Sequence, residues 1–506
     1  MKKIWKKVKA WLAGDSGMAV YATVLLVAVV IMLNSVVYAL TDHFGLYLYA
    51  PEADEEPISS KGEYIFSAAM AAGKTVTVTF CQSEEDLKVH DTGSFVYNTA
   101  VAMAEEYPEL IKLRYVNAIT GYDQDGKYVD LTEYKTDMRG KETAIDSYSV
   151  IFECDGNHRV LTDTATGVGY AGFYTLDSKG YIYAYNGEEV LTAMICWVTV
   201  NEHGTVYITQ NHGETADPAL FNLFSSAGYY VELINLRTTE VPDDASLLVI
   251  SAPTSDFEKS ATDAVRSELD RLRTYLNKGG NIYVNLDPFV SELKNLEGFL
   301  ADYGIAYSYH TAEGGVTVRD MVCDDTNAIT TDGYAFVAEY GDGYTARNIS
   351  SLMNSYVSGR VLLHNVASLT LSGNAEPLLL SSNTSRTVAG GVTTDSEGGY
   401  AVAAYTTVKN DIGEIGRIVV IPTTYITSTE AVTTNGYTNK EYVYSLCYTL
   451  FDSTALPMGC KTLLYTSSVL ENLTMGRARL YMAIILALPV ALAVTGTVVL
   501  IRRKNR

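Results

Sequence analysis

Paired cysteine is what this chain most clearly lacks. Cys81, Cys154, Cys196, Cys323, Cys447 and Cys460 are spread through 506 residues, and no two of them are spaced C-x-x-C. No cysteine–histidine grouping has zinc-site spacing either. A dithiol redox centre and a zinc ribbon are therefore excluded as readings of the spacing, and lone buried thiols are expected.

Nucleotide and acyl-transfer signatures are missing as well. Gly73-Lys74-Thr75 ends like a phosphate-binding loop, but Ala68 stands where the loop needs glycine. The tripeptide also leads into a strand, whereas such a loop follows a strand and opens a helix. Thr166-Gly167-Val168-Gly169 lacks both the preceding strand and the third glycine. There is no G-x-S-x-G elbow. After Asp287-Pro288-Phe289 no Cys, Ser or Thr appears before Ser291. The turn thus has no nucleophile where class I glutamine amidotransferases, of similar architecture, carry a cysteine.

Basic residues are scarce: 37 Lys and Arg stand against 59 Asp and Glu, a net charge of −22. Lys2, Lys3, Lys6, Lys7 and Lys9 crowd one end, and Arg502, Arg503, Lys504 and Arg506 the other. Each end carries about four net positive charges, so the stretch between them holds about −30. Such an acidic body repels nucleic acid and anionic surfaces. It is nevertheless too apolar to remain a disordered linker.

Two runs carry no charge at all, residues 18–40 (MAVYATVLLVAVVIMLNSVVYAL) and 480–501 (LYMAIILALPVALAVTGTVVLI). Each is long enough to cross a hydrocarbon core of about 30 Å as a helix. The basic clusters outside them predict both termini in the cytoplasm and the body outside the cell. The first run exceeds the usual signal-peptide core of about 7–15 residues and has no A-x-A-like site after it, so an uncleaved anchor is expected.

Between these runs the pattern reads as alternating strands and helices. Strands are predicted at 74–80, 111–117 and 148–154, and helices at 94–107 and 186–199. That order predicts a small thioredoxin-like α/β domain. Next come a strand at 206–210, a helix at 217–227, a strand at 229–236 and the apolar run LLVIS at 247–251. Ser260 with Asp263 predicts the start of a helix that Gly279-Gly280 closes. Strands at 281–287 and 417–421 and a helix at 442–450 follow. Continuous apolar strands alternating with helices predict a doubly wound, mainly parallel sheet.

Loops at the carboxyl ends of parallel strands are where such sheets bind ligands. That makes His212, Gly213, Glu214, Pro253 and Asp287 the candidate ligand or partner loop residues. Histidine and glutamate are able to act as acid, base or metal ligand there. The plainer reading makes Gly213 a turn residue and Glu214 an acid stabilised near a helix N-terminus.

Four ordered blocks carry a resemblance. They are Gln210-Asn211-His212-Gly213-Glu214, the GYYVELINL of 228–236, the VPDDASLLVISAP of 241–253, and Tyr275-Leu276-Asn277-Lys278-Gly279-Gly280 running into Leu286-Asp287-Pro288. Together they resemble the GldG-type auxiliary subunits of ABC transporters, named from bacterial gliding motility. Asn211 departs from the first glycine of that family's GHGE motif. The LDLT that usually follows the family's anchor is not visible near Leu46-Tyr47-Leu48.

The resemblance implies partners, namely a multi-pass ABC permease and an ABC ATPase, and brings no catalytic residue, cofactor or metal. The expected fold is α/β, with two transmembrane helices in the lipid bilayer flanking an ectodomain of two parts. Its expected divisions are a cytoplasmic tail (1–17), a transmembrane helix (18–40), a stalk (41–61) and the thioredoxin-like domain (62–200). A GldG-type, flavodoxin- or amidotransferase-like domain (201–475) with an insertion (316–414), a second transmembrane helix (480–501) and a tail (502–506) complete it. The expected function is binding or scaffolding rather than catalysis. A solute- or glycan-binding sensor, prompted by 38 tyrosines, and an amidotransferase-like hydrolase are the alternatives.

Overall fold

A computed structural model of the chain describes residues 62–464 other than 163–167, 177–178, 215–217, 260–265, 312–314, 397, 435, 454–458 and 461. The described residues fall within one compact unit. After a helix at Gly62–Ala71, its smaller sheet is built around β1 (Val76–Phe80), α1 (Gly93–Glu106), β2 (Ile111–Tyr115), β3 (Val150–Cys154) and β4 (Asn157–Leu161). β1 alternates Val and Thr and is buried along nearly all its length, the environment in which β-branched residues pack well. α1 ends one residue short of Pro108's neighbour Tyr107, which takes a non-helical conformation, as a residue before proline prefers.

The four strands lie in the order β2-β1-β3-β4. β1 runs parallel to β2 and antiparallel to β3, and β3 runs antiparallel to β4. The sequence pattern predicts three strands here. The fourth returns through Asp155-Gly156, both with positive φ, at 51° and 86°. Two such residues make the tight turn whose twist matches a hairpin. α2 (Gly187–Val198) packs on β3, β4 and α1.

A larger sheet follows. In chain order its elements are β5 (Thr205–Thr209), α3 (Pro218–Ser226), β6 (Tyr230–Ile234), β7 (Ala245–Ser251), α4 (Glu268–Asn277), β8 (Asn281–Asn285), α5 (Lys294–Asp302) and β9 (Ile305–Tyr307). β10 (Leu369–Leu371), β11 (Glu376–Leu380), β12 (Ala401–Lys409), β13 (Ile415–Ile421), α6 (Thr429–Thr433) and α7 (Asn439–Leu450) complete it. The main path is β9-β10-β12-β13-β8-β7-β5-β6, with β11 paired to β12. From β13 to β6 all neighbours are parallel. β12 is antiparallel to β13, and the pairings beyond it are antiparallel too.

Both faces of the parallel half are covered, which is why its strands read as unbroken apolar runs. Val206, Ile208, Leu247, Val249 and Val419 meet Leu220, Leu223 and Phe224 of α3 and Leu446 of α7 on one face. Leu248, Ile250, Ile282, Val284 and Val420 meet Leu269, Leu272 and Leu276 of α4 and Leu296 and Leu300 of α5 on the other. α4 begins at Glu268 with a capping box between Ser267 and Asp270. The predicted start at Ser260 and Asp263 lies outside the described residues.

Two expectations are corrected. An α/β ectodomain framed by two transmembrane helices does not describe this architecture, which is mixed α/β with several sheets. Among the described residues no helix is long and apolar enough to cross a membrane. The 14-residue α1 spans about 21 Å at ~1.5 Å per residue, against a core of about 30 Å. The runs at 18–40 and 480–501 lie outside the described residues. Second, the doubly wound, mainly parallel sheet is parallel in one half only. The stretch 316–414, expected as an insertion within the larger domain, supplies β10, β11 and β12, with Ala404 opposite Val420 and Thr406 opposite Ile418. The small residues of β12, among them Ala401, Ala403 and Ala404, carry no strong strand period, so this membership is silent in the sequence.

Candidate functional site

β5, β7 and β8 are adjacent and parallel, so the loops leaving their carboxyl ends gather at one edge of the sheet. These loops carry His212, Gly213 and Glu214 after β5, Pro253 after β7, and Asp287 after β8. His212 sits between two left-handed residues, Asn211 at φ 80° and Gly213 at φ 79°. Its carbonyl accepts from the backbone N–H of Thr254 and of Ser255, each at 2.8 Å. The β5 and β7 loops are thereby tied together.

The His212 side chain is fully buried. Its Nδ1 lies 3.3 Å from Glu214 Oε1, and its Nε2 lies 2.9 Å from Glu268 Oε1 and 3.1 Å from Oε2. Phe257 stacks on the imidazole with centroids 3.9 Å apart and planes 5° apart. Glu214 also accepts from the His212 backbone N–H at 2.6 Å and from the Thr209 hydroxyl at 3.0 Å. Glu268 accepts from the Glu258 backbone N–H at 2.8 Å.

Burial alone opposes a charged imidazole, but hydrogen bonds and charge from Glu214 and Glu268 outweigh it and carry the His212 pKa up to about 9. For Glu214 and Glu268 burial likewise favours the neutral acid, yet their bonds to His212 and to backbone N–H hold both below the usual carboxylate range. The group is an imidazolium clamped between two carboxylates at neutral pH. Both ring nitrogens donate, so neither has a lone pair for general-base work.

Other predicted residues play different parts. Asp287 Oδ1 accepts from the Phe289 backbone N–H at 2.9 Å, closing its own turn. Among the described residues no hydrogen bond or ion pair joins Asp287 to His212 or Glu214. Pro253 is buried and Gly213 is exposed. A Cβ on Gly213 would come within 2.0 Å of the Thr254 hydroxyl oxygen. That hydroxyl donates to the carbonyls of His212 and Gly213 and not to the imidazole.

Glu268 is the member the sequence reading misses. It is the first residue of α4, and its neighbours Ser267 and Asp270 do signal a helix start. Nothing local signals which loop that end will meet, 56 residues away. Away from this edge, Cys81 is buried and its thiol is pushed up to about 12, chiefly by burial and then by Asp146. That keeps it protonated and unreactive. Lys74 pairs with Asp155 at 2.5 Å. Among the described residues no group of three or more His, Cys, Asp or Glu is arranged to hold a metal ion.

No family of known proteins matches the chain, and no curated protein matches it. Solved structures resemble about half of it. The mmIFT52 N-terminal domain is 14% identical, covering 49% of this chain and 97% of that one with a TM-score of 0.35. A putative ThuA-like protein from Bacteroides uniformis is 9% identical, covering 51% and 95% with a TM-score of 0.30. PurLQS from Thermotoga maritima is 12% identical, covering 49% and 99% with a TM-score of 0.28.

Proposed function

We propose that this chain acts by binding, as a non-ATPase auxiliary subunit of an ABC-type transporter that works beside a multi-pass permease and a separate ATPase. The observation that carries the reading is where the four resembling blocks fall. They form consecutive strands and turns of the parallel half of the large sheet, and three of their turns meet at one edge. At that edge the block containing His212 is used to lock loops together, with both imidazole nitrogens held by carboxylates. A buried imidazolium with both ring nitrogens occupied supports a bracing role for these loops over turnover of a substrate.

The test is affinity purification of the full chain from its native cells in mild detergent, followed by identification of what comes with it. A multi-pass permease and an ABC ATPase in constant ratio are expected. Recovery of the chain alone, with neighbouring genes unrelated to transport, would defeat the proposal. An amidotransferase-like activity is disfavoured by the same geometry, since no Ser, Thr or Cys hydroxyl or thiol is bonded to the His212 ring among the described residues.

A further inference from the structure

A cavity of about 200 Å³ lies where the smaller sheet's helix α2 meets α3, α6 and α7. Its walls repeat a helical spacing: Ala219, Asn222, Leu223 and Ser226 on α3, and Lys440 and Tyr444 on α7. Positions three and four apart share a helix face, so several faces turned toward one another here carry polar groups. Packed helices ordinarily bury apolar stripes at such a junction.

At its heart is a buried charge pair. Lys440 donates to Glu189 Oε2, and the Tyr444 hydroxyl donates to Glu189 Oε1 at 2.5 Å. Glu189 is 5% exposed, Lys440 8% and Tyr444 1%. An ammonium has three donors, and among the described residues Lys440 has one hydrogen-bonded acceptor. Thr433 gives its hydroxyl proton to the Thr429 carbonyl at 2.6 Å, which leaves its oxygen as an acceptor. Asn222 is exposed and marks the way in.

We propose that this cavity binds a small neutral polyhydroxylated molecule of monosaccharide or hexitol size. The Lys440 and Glu189 charges cancel within their pair, and the buried Glu441 also acts on Lys440. An anionic ligand would meet that further acid and leave an unbalanced ion in a buried site, at large cost. A hydroxyl both donates and accepts, so a polyol is able to serve Lys440, Glu189 and Asn222 together. Val190 and Leu223 offer an apolar wall to its C–H face. The volume is below the ~300 Å³ at which drug-sized sites begin, which suits a single sugar ring. The inference stands apart from the transporter assignment: a chain that recruits no permease still has this cavity.

Titration calorimetry on the purified full-length chain tests it, with D-glucose, D-galactose, sorbitol and myo-inositol as probes and L-alanine and L-serine as zwitterionic comparisons. At least one polyol is expected to give saturable heat with Kd at or below about 1 mM. Asn222→Trp, which plugs the mouth from an exposed position, should weaken that binding at least about tenfold with an unchanged unfolding midpoint. Lys440→Met should weaken it similarly, and Asn222→Trp keeps the test decisive if that variant does not fold. The proposal is overturned by no saturable heat from any polyol up to about 10 mM, by binding that Asn222→Trp leaves intact, or by tighter binding of the zwitterions.

Discussion

His212 holds a proton that its neighbours keep in place. Its pKa is raised from 6.5 to about 9, so the imidazolium's contribution is fully present below about pH 6.5 and is lost as pH rises through about 9. A shift of this size is worth on the order of 3 kcal/mol. Glu214 and Glu268 lie below their ordinary 4.5, so the same contacts also weaken as pH falls through those lowered values. The two trends describe one set of bonds from either end and do not add. Urea unfolding midpoints should therefore be highest near pH 5–6.5 and fall toward pH 10; a midpoint flat from pH 7 to 10 would contradict this. Glu268→Gln keeps the shape and removes one charge. It should move the His212 titration back toward its ordinary value, read by NMR, and lower stability by about 2–3 kcal/mol at pH 7.

At the scale of elements, β6 forms one edge of the large sheet, and an unpaired edge invites pairing with another chain. Here a turn from the smaller sheet's region covers it. Arg139 stacks over Tyr230 at 3.8 Å and reaches Glu232 at 2.7 Å, while Lys141 reaches the same carboxylate at 2.9 Å. Each of these exposed pairs contributes little to stability, but together they hold the cover over the strand. Arg139→Ala with Lys141→Ala is thus expected to change the unfolding midpoint by less than about 1 kcal/mol while speeding aggregation. Light scattering at constant temperature reads the second effect, and equal rates for variant and wild type would show that the edge needs no cover. The sequence was legible at this scale where a pattern is local. The alternating Val and Thr of β1 and the LLVIS core of β7 declare strands directly. The hairpin into β4 is not legible in this way, because β4, half-buried throughout, lacks the apolar alternation that marks a strand. The positive φ of Asp155 and Gly156 that turns it is seen only in the structure.

The whole molecule is held together by contacts that cross it. Lys440 on α7 meets Glu189 on α2 across 251 residues of chain, and Tyr229, just before β6, donates to the Phe451 carbonyl at 2.7 Å. Removing one member of a buried pair strands the other, at a cost of about 3–5 kcal/mol. Lys440→Ala should lower the free energy of unfolding by that amount and split a single calorimetric transition into two, as the small sheet's region uncouples from the large one. Replacing both members together, Lys440→Met with Glu189→Leu, should cost clearly less. If the double replacement costs as much as the single one, the pair is not the link between the two regions.

By itself the sequence determined the order of strands and helices from 205 to 285, because a strand buried on both faces must be apolar throughout and a helix laid over it must carry one stripe. It also determined that His212, Pro253 and Asp287 stand just past neighbouring strands, since parallel strands send their following loops to a common edge. Tertiary structure decided the rest. It brought Glu268 rather than Asp287 to His212, drew β12 into the middle of the sheet beside β13, and set Lys440 against Glu189 at a polar junction of helices. Local periodicity records which face of an element is buried. Which partner that face meets depends on packing between elements far apart in the chain, and no local period records that choice.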